Sequence, residues 1–125
     1  SYMAHVFVKK EALAKGFDDA IQLTPEGKIS EISCANIFII KQGIVYTPPL
    51  SDGLLPGITR QRVIEHCLLN EIYCLEQSLD QRELLSADAI FVTNTLLGVL
   101  KVDFVNNKKY SSSNLLESIK LFIDQ

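Results

Sequence analysis

The spacing of apolar and polar positions changes period several times along the chain, and each change marks an element. Residues 4–15 are rich in good helix formers and Gly16 suits a helix stop, so a helix is expected from Tyr2 to Lys15. Asp19 to Leu23 is short and partly apolar, and Thr24-Pro25-Glu26-Gly27 is turn chemistry. Ile29 to Ile40 reads as one strand, with Ile29, Glu31 and Ser33 on a common face. Lys41-Gln42-Gly43 is a hairpin turn, and Ile44 to Thr47 is the returning strand.

A loop from Pro48 to Gly57 holds three prolines and two glycines. Thr59 to Leu69 then reads as a helix, because Val63, Ile64, Cys67 and Leu68 recur at helical spacing. Ile72 to Leu75 is a short strand. Asp80-Gln81-Arg82-Glu83 has capping-box spacing and opens a short helix to about Ala87. Ala89 to Val92 is a buried strand running into Thr93-Asn94-Thr95, Val99 to Phe104 is another strand, and Asn106-Asn107 is a turn. Ser113 can cap a last helix, in which Leu115, Ile119 and Phe122 share a face. Hairpins in the first half and strand–helix alternation in the second sum to an α/β fold with α+β character: a mixed sheet with flanking helices.

Composition narrows the classes. The chain has 125 residues, which suits one domain, and 47% of them are apolar, enough for a real core. The net charge is −3 and no run of lysine or arginine exceeds two residues, so there is no basic stripe for nucleic acid. No apolar run approaches the roughly 20 residues of a membrane span. The three cysteines, Cys34, Cys67 and Cys74, lack paired spacing and read as buried free thiols, which points to a reducing, cytoplasmic setting. His5 and His66 have no partners at metal-ligand spacing, so no metal site is expected.

Three features carry candidate chemistry. Leu54-Leu55-Pro56-Gly57-Ile58-Thr59-Arg60 is a glycine-bearing loop entering a helix, and free N–H groups with the helix dipole make such an end an anion site. From these residues alone, an ordinary helix capped by Thr59 is the plainer reading, since most capped helices bind no ligand. Thr93-Asn94-Thr95 ends a buried strand, where ligands of α/β sheets gather, although a plain polar turn is also consistent. Glu31 is either a solvated acid or a partly buried one facing a positive partner.

These features occur in a specific order. Glu31-Ile32-Ser33-Cys34-Ala35-Asn36-Ile37-Phe38 is followed by Gly43 and Tyr46-Thr47-Pro48-Pro49. Gly53-Leu54-Leu55-Pro56-Gly57-Ile58-Thr59-Arg60 and Phe91-Val92-Thr93-Asn94-Thr95 come after. From about Tyr2 to Val102 the chain resembles the class-IV aminotransferases, a fold-type-IV family dependent on pyridoxal 5'-phosphate (PLP). The family spans branched-chain and D-amino-acid aminotransferases and aminodeoxychorismate lyases. The resemblance implies the family's large C-terminal domain, with a partly barrel-like sheet. It implies that Glu31 pairs with the cofactor's pyridine nitrogen and that Leu55 packs against the ring. Ile58 and Thr59 would bind the phosphate at a helix start, and Asn94 and Thr95 would form a second phosphate loop bordering the substrate carboxylate. Arg60 is expected to be structural.

The family's Schiff-base lysine matches a position before Ser1, so no catalytic residue is expected within the chain. The family's smaller N-terminal domain would likewise lie outside it, and the chain alone is expected to be inactive. A small amino substrate, the N-terminal domain and a homodimer partner are the implied companions. Thr93-Asn94-Thr95-Leu96-Leu97-Gly98-Val99 looks most like the lyases, although Lys101 replaces a common proline. The reading put first is therefore conversion of 4-amino-4-deoxychorismate to 4-aminobenzoate and pyruvate. The alternatives are a class-IV aminotransferase for D- or branched-chain amino acids, or a non-catalytic relative.

Overall fold

The computed structural model describes residues 2–7, 19–23, 29–32, 35–50, 57–95 and 98–125. Along these residues run β1 (Tyr2–Phe7), β2 (Asp19–Leu23), β3 (Ile29–Ile32), β4 (Asn36–Lys41), β5 (Ile44–Thr47), α1 (Ile58–Leu69) and β6 (Cys74–Glu76). They are followed by α2 (Gln81–Ser86), β7 (Ala89–Asn94), β8 (Gly98–Lys101), β9 (Phe104–Val105), β10 (Lys108–Lys109) and α3 (Asn114–Ile123).

Among the described residues the strands form two five-stranded sheets, ordered β10-β9-β1-β2-β3 and β6-β5-β4-β7-β8. Only β5 and β6 pair in parallel, so the second sheet is mixed, as expected. Period two decides how the second sheet is buried. Ile37 and Ile39 of β4 join Ile90 and Val92 of β7 on one face, where Val6 of β1 and Val105 of β9 complete the cluster. The first sheet therefore covers that face. Phe38, Ile40, Ala89 and Phe91 point the other way and meet Val63 and Cys67 of α1 and Leu116, Ile119 and Ile123 of α3. Both faces of the central strands are dry, which explains their unbroken apolar sequences. Phe38 and Phe91 sit opposite each other in the ladder with rings stacked at 4.8 Å, a cross-strand pair worth about 0.5–1.5 kcal/mol beyond its burial.

Local signals also hold. The β4–β5 turn places Gln42 at φ 52° and Gly43 at φ 78°, the left-handed pair that a tight hairpin requires. Asp80 accepts from the Glu83 N–H at 2.9 Å while Glu83 accepts from the Asp80 N–H at 3.0 Å, a complete capping box. Ser113 caps α3 by accepting from the Leu116 N–H at 3.1 Å. Asn106 carries φ 52° in the β9–β10 turn.

Six expectations change. The helix over Tyr2 to Lys15 is a strand over Tyr2–Phe7, paired with β2 at five positions; residues 8–15 lie outside the described ones. Tyr2, Val6 and Phe7 suit a pleated surface, and ladder pairing outweighs weak local helix preference. The single strand from Ile29 to Ile40 is two strands in different sheets. The strand expected from Val99 to Phe104 is likewise divided, between β8 and β9. Ile72 to Leu75 shifts to Cys74–Glu76. The buried face of α3 is Leu116, Ile119 and Ile123 rather than the stripe with Leu115 and Phe122, while Phe122 stacks on His66 at 4.2 Å. On α1, Leu68 is exposed, and Thr59, Arg60, Val63, His66 and Cys67 are buried. Cys67 and Cys74 are free thiols, the first buried and the second partly so; Cys34 lies outside the described residues. No helix among the described residues is long and apolar enough to cross a membrane.

Candidate functional site

The N-terminus of α1 is built without its own counter-charge. Gly57 is the N-cap, makes no side-chain cap, and is followed by a first turn without an acidic residue. The first N–H groups of a helix have no intrahelical acceptor and carry the positive end of its dipole. Thr59, offered by the sequence as a possible cap, sits inside the first turn instead. Gly57 is fixed by crowding: a Cβ there would stand 2.6 Å from Oδ1 of Asn36. Asn36 is 3% exposed and opens β4, directly opposite Thr93 of β7.

Thr93 was read from sequence only as part of the Thr93-Asn94-Thr95 turn, and the family resemblance gave it no role. Its hydroxyl oxygen is buried and has no hydrogen-bond partner among the described residues. Leaving such a group unpaired costs about 1–3 kcal/mol, so an orphan hydroxyl beside a cleft points to something that fills the cleft. The cleft measures about 60 Å³ and is lined by Ala35, Asn36, Gly57, Thr59, Arg60, Thr93 and Thr95. Its two walls are the first turn of α1 and the end of β7. Thr59 Oγ1 donates across them to the Asn94 carbonyl at 3.4 Å. One signal could have found Asn36 earlier: it is a polar residue directly before the apolar run Ile37 to Ile40.

Arg60 anchors this corner. It is 3% exposed, and its Nη2 donates to the Pro48 carbonyl at 3.1 Å and to Glu76 Oε2 at 2.9 Å. The arginine thus ties the start of α1 to the end of β5 and to β6, which agrees with the structural role expected of it. Its Nε is buried without a partner among the described residues. The guanidinium charge is paired with Glu76, so it is chiefly the helix dipole and the unpaired donors that favour an anion. Thr47 holds the same corner by donating to the Ile37 carbonyl at 2.7 Å.

The structure brings together four of the six residues singled out from sequence. Ile58 opens α1 with a 68% exposed side chain, so its backbone N–H is what it can offer. Thr59 and Thr95 line the cleft, and Asn94 contributes its carbonyl. Glu31 lies in β3 opposite Gln22, in the other sheet, and its side chain is outside the described ones. Leu55 lies outside the described residues. No group of three or more His, Cys, Asp or Glu among the described residues could hold a metal ion.

Comparison with known proteins gives this geometry a family. The profile of the family described as amino-transferase class IV matches residues 1–104. An Aquifex aeolicus protein named "Probable branched-chain-amino-acid aminotransferase" is 36% identical over 118 residues, covering 92% of this chain and 37% of its own. A Legionella pneumophila crystal structure, provisionally named 4-amino-4-deoxychorismate lyase, superposes with a TM-score of 0.79 at 36% identity, over 92% of this chain and 43% of that one. A Brucella abortus aminotransferase solved with bound PLP gives 0.76 at 29% identity, over 91% and 41%. The chain thus spans about two fifths of the length of the proteins it matches. The protein belongs to the class-IV amino-transferase family.

Proposed function

We propose that the intact protein is a PLP-dependent aminotransferase acting on a branched-chain amino acid, and that this chain supplies the cradle for the cofactor phosphate. The observation that carries the reading is the unpartnered, buried Thr93 hydroxyl beside the uncapped first turn of α1. The residues present fit the group. A dianionic phosphate needs several N–H and O–H donors. Those at hand are the first-turn amides after Gly57 and the hydroxyls of Thr59, Thr93 and Thr95. Glu31 is assigned to the pyridine nitrogen and Leu55 to the ring face. When bound, PLP supplies an electron sink for the negative charge that develops on the amino substrate. A carboxylate at Glu31 would keep the pyridine nitrogen protonated. The rest of the chain orients: Arg60 and Thr47 hold the α1–β5 corner, and the β4–β7 ladder fixes Thr93 against Asn36. The Schiff-base lysine, the smaller domain and a homodimer partner belong to the same reading, with the lysine preceding Ser1.

The order of the two catalytic readings reverses that drawn from sequence. The name of the Aquifex relative favours aminotransferase chemistry. The lyase reading stays as the second, because the Legionella structure matches equally well in sequence and the Thr93–Gly98 stretch resembles that branch. One assay separates them in the intact protein loaded with PLP. Transfer from leucine to 2-oxoglutarate, strictly dependent on the keto acid, is the expected result. Pyruvate release from 4-amino-4-deoxychorismate with no acceptor and no transfer from leucine would overturn the aminotransferase reading and establish the lyase.

A further inference from the structure

We infer that the C-terminal helix α3 is a positioning element for the phosphate cradle, acting through Asp124 and Lys120 on the start of β8. This rests on the reading of the β7–β8 turn as part of that cradle. Among the described residues β8 is the edge of its sheet, so backbone groups of Val99 that face away from β7 meet no described strand. Residues at the end of α3 take the place of one. The Val99 N–H donates to Asp124 Oδ1 at 3.2 Å, and Lys120 Nζ donates to the Val99 carbonyl at 2.8 Å. Lys120 and Asp124 are themselves paired at 2.8 Å, one turn apart on α3. Carboxylate, ammonium and both backbone groups of Val99 thereby form one closed set of charge-assisted hydrogen bonds.

The close approach dictates the neighbouring residue as well. Gly98 has φ 78°, and a Cβ there would collide with the Asp124 carboxylate. Glycine serves the turn twice, by its left-handed backbone and by its missing side chain. In register, Val99 stands opposite Thr93 and Gly98 opposite Asn94. A clamp on Val99 therefore sets the position of the residues that carry the orphan hydroxyl and line the cleft. The same end of α3 also reaches the other wall: Arg62 Nη1 of α1 donates to the Ile123 carbonyl at 3.4 Å. One helix terminus thus ties β8 and α1 together. The family match ends at residue 104, before α3 begins at Asn114, so the α3 half of the clamp lies outside the matched segment.

The test uses the intact protein with Asp124→Ala, Asp124→Asn and Lys120→Met. Two quantities are read: hydrogen exchange of the peptide spanning 93–101, and the dissociation constant of the apo-protein for PLP. Asp124→Ala is expected to speed exchange at the turn and to weaken PLP binding about tenfold, the effect of losing one charge-assisted hydrogen bond that pre-organises the site. Asp124→Asn keeps an acceptor for the Val99 N–H and should recover part of both losses. Wild-type PLP affinity in Asp124→Ala overturns the inference. So does weaker binding with unchanged exchange at 93–101, because the effect then does not run through the turn. Should Asp124→Ala fail to fold, Lys120→Met removes the donor to the Val99 carbonyl and carries the same two expectations. A wild-type apo-protein that binds no PLP would sink the functional reading, while the exchange measurement still tests the clamp by itself.

Discussion

Gly57→Ala is expected to weaken PLP binding by the intact protein about 100-fold while lowering stability by only about 1–3 kcal/mol. The backbone at Gly57, φ −70° and ψ 143°, is open to any residue, so the penalty does not come from conformation. It comes from the single Cβ placed 2.6 Å from Asn36 Oδ1. Asn36 is buried and its backbone is paired in the ladder opposite Thr93, so its side chain has little room to swing aside. The first turn of α1 must retreat instead, which moves the amides away from Thr93 and opens the cleft. Preorganised donors lose their value steeply when displaced, because their geometry was fixed before the ligand arrived. Titration of apo-protein with PLP and a thermal melt check both halves. A melt midpoint far below wild type with intact PLP affinity would show that Gly57 serves packing rather than the anion.

Glu31→Gln in the intact protein is expected to lower turnover about 100-fold, equivalent to roughly 3 kcal/mol of transition-state stabilisation, with little change in the melt. The effect is electrostatic. A carboxylate beside the pyridine nitrogen favours its protonated form, and protonation is what makes the ring an effective electron sink. A neutral amide accepts a hydrogen bond but does not hold the charge. Glu31 lies within the β2–β3 ladder opposite Gln22, and the substitution is nearly isosteric, so the strand should persist. Single-turnover kinetics with leucine measure the effect. Turnover within a factor of about two of wild type, with cofactor bound, would make Glu31 a solvated acid.

What could be read in advance was local. The turn at Gln42-Gly43, the capping box at Asp80 and Glu83, and the cap at Ser113 each depend on a few adjacent residues, and each stands as expected. The start of α1 was legible because Gly57 and the helix pattern after it are contiguous. Contacts between distant residues decided the rest. The strand character of Tyr2–Phe7 depends on pairing with Asp19–Leu23. The division of residues 29–40 between two sheets depends on which strands lie beside each half. The buried stripe of α3 is displaced by about one position, so that Leu116 and Ile123 pack where Leu115 and Phe122 were expected; short helices leave that choice to the surface beneath them. Thr93 and Asn36 gain meaning only when β4 and β7 pair, and Asp124 acts on a residue 25 positions earlier.

The central claim is that a phosphate sits between the first turn of α1 and the end of β7. A crystal structure of the intact protein with PLP tests it most directly. The phosphate is expected within hydrogen-bond distance of the Ile58 and Thr59 amides, with Thr93 Oγ1 donating to it. A phosphate bound elsewhere, with the Gly57–Thr93 cleft still closed over nothing, would contradict it.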